Sequence, residues 1–253
     1  MKQTIRHKQI IDLVKEQGYL STEELVNLLG VSPQTMRRDL NELAENNLII
    51  RYHGGAAAIS RSINSDYNER KEFFSTEKRK LAQHVAKLIP NGSSLFIDIG
   101  TTPEAIAYAL LEHKDLCIVT NNINAAHILM KNKTFQITIA SGSLRQDGGV
   151  IGESTISFIS QFRLDYGILG ISAIDLDGSL LDFDYHEVQV KRAIIENSQT
   201  TILAVDHSKF SRKAMVRLGS LSEIEHLLTN KKPPAAIIEL MKKNNLSLEL
   251  CNT

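Results

Sequence analysis

Arginine and amide side chains are concentrated in the opening turns of a helix that is predicted to begin after Ser32. The Ser32 hydroxyl can accept a hydrogen bond from a backbone N–H at the helix start, and Pro33 suits the first helical position. An arginine fork can bind guanine or phosphate, and a glutamine amide can bind adenine. These residue types at one end of a helix predict contact with the major groove of DNA.

A preceding helix, joined to this one by a short turn, must position the polar face. It begins at Ser21, which has capping-box spacing with Glu24, and it ends at Gly30. The inward-facing residues of the two helices are predicted to be Leu25, Leu28, Leu29, Met36, Leu40 and Leu43. Helix, short turn and helix form the helix-turn-helix arrangement, whose second helix enters the groove N-terminus first.

A hairpin is predicted from the apolar run and paired glycines of residues 46–57, and it would form a wing against the DNA backbone. The residues predicted to contact DNA are Ser32, Gln34, Thr35, Arg37, Arg38, Asn41, Arg51 and His53. Charge alone leaves an alternative open, because residues 1–57 contain seven Lys or Arg and seven Asp or Glu. The arginines could then lie on a solvated face, with Arg38 paired to Glu42 at i, i+4.

Strand and helix patterns alternate from residue 75 to 253, after a serine- and asparagine-rich segment, 58–74, that is predicted to be a linker. The predicted strands are 94–100, 116–120, 135–140, 165–172, 201–206 and 226–229. The predicted helices between and after them are 103–112, 123–131, 184–197 and 234–244. Continuous apolar strands are typical of a parallel sheet covered on both faces, so we expect an α/β domain.

Polar residues follow several of these strands, at the edge of the sheet where α/β proteins bind ligands. After the first strand, Gly100 permits close approach, and Thr101 and Thr102 begin a helix whose N–H groups favour phosphate. Lys209 adds a flexible cation, and asparagine amides suit hydroxyls. The residues predicted to bind a small phosphorylated polyol are Asp98, Gly100, Thr101, Thr102, Asn121, Asn122, Arg145, Gly152, Glu153 and Lys209.

A different class of function is possible for the segment 182–191, which could supply general acid–base groups to a sugar-phosphate isomerase. These groups are Asp182, Asp184, His186, Glu187 and Lys191. The simpler interpretation is that Asp184 and Glu187 have capping-box spacing and the other side chains lie on the helix surface. Turnover of ribose 5-phosphate would favour the enzyme. A DNA-binding protein without a ligand is a third possibility, but such a protein would not need the large α/β domain.

The bulk composition excludes several other classes. The chain has 29 Lys or Arg and 29 Asp or Glu in 253 residues, so net charge indicates no particular partner. No apolar run approaches the roughly 18 residues of a membrane span, and the charged start lacks a signal-peptide pattern. Cys117, in an apolar run, is predicted to be buried, and two cysteines suit a reducing cytoplasm. No motif indicates a metal or another cofactor.

Residues 6–57 resemble the winged helix-turn-helix of the DeoR family of bacterial repressors. The matching stretches are "STEEL", "VSPQTMRRDLNEL" and "RYHGGA". The stretches "IPNGSSLFIDIGTTPEAIA", "DFDYHEVQVKRAIIENS" and "DHSKFSRKAMV" extend the resemblance over nearly the whole chain. The resemblance implies a sensor domain with a fold related to ribose-5-phosphate isomerase and CoA transferases. It also implies a homo-oligomeric repressor of glycerol metabolism genes that glycerol 3-phosphate, or a similar sugar phosphate, releases from double-stranded operator DNA.

Overall fold

The computed structural model describes residues 3–17, 19–46, 48–52, 54–58, 67 and 75–251. The chain divides into two compact units, an amino-terminal unit, Met1–Ile63, and a carboxy-terminal unit, Asn64–Thr253. The predicted linker lies outside the described residues, apart from Ala58 and Tyr67. The bounds 1–57, 58–74 and 75–253 therefore stay a prediction.

The described residues of the amino-terminal unit form three helices and a small antiparallel sheet. Its elements are α1 (Gln3–Gln17), β1 (Tyr19–Ser21), α2 (Thr22–Leu29), α3 (Pro33–Glu45), β2 (Ile49–Tyr52) and β3 (Gly55–Ala58). The strands lie in the order β1-β3-β2, so that β2 and β3 form the predicted hairpin. The winged helix-turn-helix fold is confirmed.

Local sequence signals set the bounds of α2 and α3. The capping box of Ser21 and Glu24 forms as predicted, and Gly30 ends α2 with the positive φ of 62° that suits glycine. The Ser32 side chain accepts from the N–H of Thr35, and Pro33 follows at the first position of α3. These two caps leave only a short turn between the helices.

The core of the amino-terminal unit is formed by the inner faces of α1, α2 and α3. Leu25, Met36, Leu40 and Leu43 are buried as predicted. The prediction for Leu28 is wrong, because its side chain is 55% exposed. The eight-residue α2 buries only a narrow stripe, and Leu28 lies beside that stripe.

The carboxy-terminal unit contains a larger set of alternating helices and strands. Its helices are α4 (Ser75–Leu88), α5 (Thr101–Ala109), α6 (Ile123–Leu129), α7 (Glu153–Ile159), α8 (Tyr185–Glu196) and α9 (Ala235–Lys243). Its strands are β4 (Ser94–Ile97), β5 (Cys117–Thr120), β6 (Gln136–Ile139), β7 (Ser143–Leu144), β8 (Val150–Ile151), β9 (Leu164–Leu169), β10 (Ala173–Ile174), β11 (Ser179–Asp182), β12 (Ser198–Val205), β13 (Val216–Ser220), β14 (His226–Thr229) and β15 (Ser247–Leu250).

Seven of these strands form one parallel sheet in the order β15-β14-β12-β9-β4-β5-β6, which confirms the predicted α/β class. Alternate residues of β4 enter different apolar clusters, since Leu95 and Ile97 pack with α4, α5 and α6 whereas Phe96 packs on the face covered by α8 and α9. Both faces of the sheet are therefore buried, and its strand ends are left as the place for a polar site.

Cys117 is exposed, so the prediction that its thiol lies in the core is wrong. It is the first residue of β5, and its Sγ lies 3.8 Å from Gln136 Oε1 on the edge strand β6. An apolar run predicts burial for the middle of a strand better than for its first residue at the margin of a sheet.

Candidate DNA-binding surface and effector site

The polar face of α3 is available to a partner. Arg37 and Arg38 are exposed, and neither has a hydrogen bond or ion pair with another described residue. The pair of Arg38 with Glu42 that a solvated face would favour is absent among the described residues; Glu42 Oε2 instead accepts from Gln3 Nε2 at 2.7 Å. Both guanidinium groups can therefore bind phosphate or a base edge without first breaking an ion pair to a described residue.

The other residues predicted to contact DNA differ in whether their side chains already form hydrogen bonds within the protein. Gln34 and Asn41 are exposed on α3. The Ser32 hydroxyl caps α3 by accepting from the N–H of Thr35, and it lies 2.9 Å from the Thr35 hydroxyl, so both hydroxyls are already engaged at the helix start. Arg51 Nη1 donates to Gly55 O at 2.6 Å inside the β2–β3 hairpin. His53 lies outside the described residues.

A buried ion pair that the sequence reasoning missed fixes α3 against α1. Asp39 is 1% exposed, and its carboxylate accepts from Arg6 at 2.5 and 3.1 Å and lies 3.1 Å from His7 Nε2. Burial alone would raise the pKa of Asp39, but the hydrogen bonds from Arg6 and His7 outweigh it, so the pKa lies below its ordinary value. Asp39 follows two exposed arginines, and only the helical spacing from Met36 indicates that it points inward.

The helix that follows the first strand of the parallel sheet presents its N-terminus without a side-chain cap. Gly100, with φ of 124°, is the N-cap of α5, and no described side chain accepts from the N–H groups of the first turn. Thr101 is half-buried and Thr102 is buried. This geometry leaves backbone N–H groups and two hydroxyls for an anion. Glu104, buried in the same turn, limits the attraction because it places a negative charge there.

The two asparagines lie at the carboxyl end of β5, next to Asp98 at the end of β4. Asn122 caps α6 by accepting from the N–H of Ala125, and its Nδ2 donates to Asp98 O at 3.2 Å. Asn121 Nδ2 lies 3.3 Å from Val150 O, while its buried Oδ1 has no hydrogen-bond partner among the described residues. Asn122 thus has a structural role, and Asn121 keeps an acceptor that a hydroxyl could satisfy.

Arg145 lies in the hairpin formed by β7 and β8, and three carboxylates surround its guanidinium group. Its guanidinium donates to Asp147 at 3.1 and 3.2 Å, to Asp184 at 2.8 Å and to Glu187 at 3.4 Å. Burial lowers the pKa of Arg145, but the carboxylates reverse that and raise it. Arg145 therefore remains a cation, and an incoming phosphate must compete with three carboxylates for it.

The interpretation of 182–191 as a surface-decorated helix start is partly wrong, because Lys191 is 1% exposed and lies in a buried ion cluster. Its Nζ lies 2.5 Å from Asp98 Oδ2, 2.9 Å from Glu187 Oε1 and 3.9 Å from Asp182 Oδ2. Asp184 caps α8 as predicted, but the Glu187 carboxylate points to Lys191 and Arg145 rather than completing a capping box. The i, i+4 spacing of Glu187 and Lys191 on a helix with apolar neighbours is the signal that could have indicated a buried pair.

Burial and neighbouring charges together shift the pKa values of this cluster. Burial raises the pKa of Glu187 to about 7, against the attraction of Lys191, and the carboxylates of Asp182 and Asp98 raise it further. Burial lowers the pKa of Lys191, but the three carboxylates reverse that and leave its pKa above its ordinary value. Burial also raises the pKa of Asp98, which Lys191 only partly offsets. The cluster links the residue that follows β4 to β11 and α8.

The remaining predicted residues are Gly152, Glu153 and Lys209. Gly152 is the N-cap of the short helix α7, and Glu153, its first residue, is exposed. Lys209 lies in a single 3₁₀ turn, His207–Lys209, after β12. Burial raises the pKa of Asp206, but the charge of Lys209 and the hydrogen bonds from Ser208 bring it below its ordinary value. Lys209 is therefore near a strand end, as a phosphate ligand would require.

Two other kinds of feature are absent from the described part of the chain. No helix there has the length and apolar character needed to cross a membrane. Within the same residues, no three His, Cys, Asp or Glu side chains are grouped so that they could hold a metal ion.

Comparisons with known proteins match both units. Residues 6–62 match the DeoR-like helix-turn-helix domain, and residues 74–231 match the DeoR C terminal sensor domain. The chain is 66% identical to the glycerol-3-phosphate regulon repressor of Haemophilus influenzae, covering 100% of this chain and 98% of that protein. It is 61% identical to the repressor of the same name from Escherichia coli, covering 99% and 100%.

More distant proteins share parts of these features. The HTH-type transcriptional repressor CsqR of Escherichia coli is 40% identical, covering 97% of this chain and 94% of that protein. Among solved structures, ribose 5 phosphate isomerase A from Neisseria gonorrhoeae aligns with 53% of this chain and 52% of its own, at 16% identity and a TM-score of 0.38. That similarity is too low to indicate a shared activity. From the two domain matches and the full-length relatives, this chain belongs to the DeoR family.

Proposed function

We propose that this protein is a transcriptional repressor of genes for glycerol and glycerol 3-phosphate metabolism and that glycerol 3-phosphate releases it from its operators. The observation that carries the proposal is the 61–66% identity, over both units, with glycerol-3-phosphate regulon repressors. Identity at that level over the full length makes it reasonable to expect the same pairing of operator and effector. The protein would act in the cytoplasm, where operator DNA is found, and would need no cofactor.

DNA binding is assigned to α3 and the β2–β3 hairpin. The N-terminus of α3 would enter the major groove, with Arg37, Arg38 and Gln34 near base edges and phosphates. The Arg51 side chain of the hairpin would lie near the backbone of the duplex. A homo-oligomer would place two such surfaces on half-sites about one helical turn, or a multiple of it, apart.

Effector binding is assigned to the strand ends of the carboxy-terminal unit. The phosphate would accept from the N–H groups and hydroxyls of Thr101 and Thr102, with Lys209 as counter-charge. The glycerol hydroxyls would reach the amide oxygen of Asn121. Arg145 would bind the phosphate only if it gave up hydrogen bonds to its carboxylate partners. Ligand binding could then change the conformation of the β7–β8 hairpin, which carries Arg145.

A titration of the full-length protein on operator DNA tests the proposal. Fluorescence anisotropy would be followed while glycerol 3-phosphate, glycerol, inorganic phosphate or ribose 5-phosphate is added. Release by glycerol 3-phosphate at the lowest concentration supports the proposal. Release by a different phosphate ester would correct the effector, and no release by any of them would contradict a sensor role. Turnover of ribose 5-phosphate would contradict the assignment as a non-enzyme.

A further inference from the structure

Tyr67 connects the segment before α4 to the start of α5. Its hydroxyl donates to Glu104 Oε2 at 2.6 Å, and it accepts from Asn124 Nδ2 at 2.9 Å. Tyr67 lies between Ala58, the last residue of the hairpin, and Ser75, the first residue of α4. The contact therefore ties a residue of the stretch that connects the two family domains to the carboxy-terminal unit.

The partners of Tyr67 belong to the elements that carry the proposed effector residues. Asn124, in the first turn of α6, also has its Nδ2 3.1 Å from Glu104 Oε1 and 2.9 Å from Asp147 O, so that its two N–H hydrogens are shared among three acceptors. Asp147 in turn accepts from Arg145. The fit around Asn124 is close, since a Cβ at Gly148 would lie 2.7 Å from its Nδ2. Any displacement of Glu104 or of the β7–β8 hairpin must therefore disturb Asn124 and, through it, Tyr67.

A bound phosphate would act on this arrangement through Glu104. The Glu104 carboxylate is buried in the first turn of α5, three residues after Thr101, where the helix dipole attracts negative charge. The hydrogen bonds that it accepts from Tyr67 and Asn124 come from neutral donors, which do not cancel its charge. A phosphate at the same helix end competes for the dipole and repels the carboxylate.

We propose that Tyr67 transmits effector binding to the segment that leads to the DNA-binding domain. Phosphate at the start of α5 displaces the Glu104 carboxylate, the hydrogen bond from Tyr67 is lost, and the protein leaves the conformation that binds the operator. This inference rests on the proposed function. It makes Tyr67 a positioning residue, because it contacts neither DNA nor effector.

The test is Tyr67→Phe in the full-length protein, which removes the hydroxyl and keeps the ring. If the hydrogen bond from Tyr67 to Glu104 favours the operator-binding conformation, removing the hydroxyl weakens operator binding and tightens glycerol 3-phosphate binding. Each affinity should change by roughly three- to tenfold. Glu104→Gln, which removes the repelling charge, should also tighten glycerol 3-phosphate binding. Tyr108→Phe is the matched control, because Tyr108 lies on α5 with its side chain 54% exposed.

Two results would overturn the inference while leaving the proposed function intact. One is that glycerol 3-phosphate releases the parent protein from the operator while Tyr67→Phe leaves the affinities for operator and for glycerol 3-phosphate unchanged. The other is that Tyr67→Phe weakens both affinities together with a lower melting temperature, which would give the hydroxyl a structural role only. If glycerol 3-phosphate does not release the parent protein, the proposed function fails and the inference fails with it.

Discussion

At the scale of single residues, the guanidinium groups of Arg37 and Arg38 are the groups through which we expect α3 to bind DNA. Both are exposed and have no ion-pair partner among the described residues. Arg37→Ala or Arg38→Ala should cost about 1–3 kcal/mol of operator affinity where a base contact is lost. Where only a phosphate contact is lost, the slope of log affinity against log salt should fall by about one. Anisotropy titrations at several salt concentrations measure both quantities.

The control for the arginine variants is Lys243→Ala, which removes an exposed cation at the end of α9. It should leave operator affinity and its salt dependence as they are in the parent protein. If both arginine variants bind the operator with the affinity and salt dependence of the control, α3 is excluded as the recognition helix.

A second residue-scale prediction concerns Asp39, whose ion pair with Arg6 is buried. Asp39→Asn removes the carboxylate charge that faces the Arg6 guanidinium and should lower the free energy of unfolding by about 3 kcal/mol. Because the pKa of Asp39 is below its ordinary 3.8 in the folded protein, its contribution is present above pH 3.8 and is lost as the pH falls through the lowered value. Urea unfolding of parent and variant at several pH values should therefore converge only in strong acid. A constant difference at every pH would contradict this role.

The sequence predicts the types of the contacting residues better than their partners. The exposure of Arg37 and Arg38 follows from the helical spacing of Met36, Leu40 and Leu43, because a helix with one buried stripe leaves the other side to solvent. The burial of Lys191 does not follow in the same way. Its partner Asp98 is 93 residues away in sequence, and only the parallel sheet brings the two together.

At the scale of the secondary-structure elements, Glu187 makes the stability of the packing around α8 depend on pH. Burial raises the pKa of Glu187 to about 7 from an ordinary 4.5, so the folded protein retains a proton that the unfolded chain releases. The free energy of unfolding should therefore fall as the pH rises from 4.5 to 7, on the order of 2–3 kcal/mol for this group. Glu187→Gln cannot ionise, and its stability should change less over that range.

Urea unfolding of parent and Glu187→Gln proteins at pH 4.5, 6 and 7.5 checks this dependence. The control is Glu196→Gln, at the other end of α8, which should reproduce the pH dependence of the parent. Equal slopes for the parent and Glu187→Gln would show that Glu187 titrates as an ordinary surface carboxyl.

Long and short elements differ in how well the sequence predicts them. The apolar runs within β12 and β14, residues 202–205 and 227–228, predict parallel strands, because a sheet covered on both faces takes apolar side chains on both sides of a strand. The two-residue strands β7, β8 and β10 have no such pattern, since they are defined by one antiparallel partner each. The hairpin that carries Arg145 is thus visible in the sequence only as a glycine-containing polar loop.

At the scale of the whole molecule, both functions must be carried by local charge, because the chain is neutral overall. The proposed phosphate ligands share their surroundings with the carboxylates of Asp98, Glu104 and Asp206. In such a mixture we expect a small anion to bind through local N–H groups and Lys209 rather than through net charge. The serine- and asparagine-rich composition of 58–74 predicts a linker, but composition gives no sign that Tyr67 reaches the buried Glu104.

The final prediction follows from having two sites on one molecule. If glycerol 3-phosphate weakens operator binding by a given factor, bound operator must weaken glycerol 3-phosphate binding by the same factor. A coupling of 1–3 kcal/mol, typical of such proteins, corresponds to roughly 5- to 150-fold. Isothermal titration of glycerol 3-phosphate into the protein, alone and saturated with operator, gives one factor, and anisotropy with and without effector gives the other. A duplex of scrambled sequence is the control and should leave effector binding unchanged. Because the binding equilibria form a closed cycle, unequal factors would mean that the two titrations measure different species, such as different oligomeric states at the two protein concentrations.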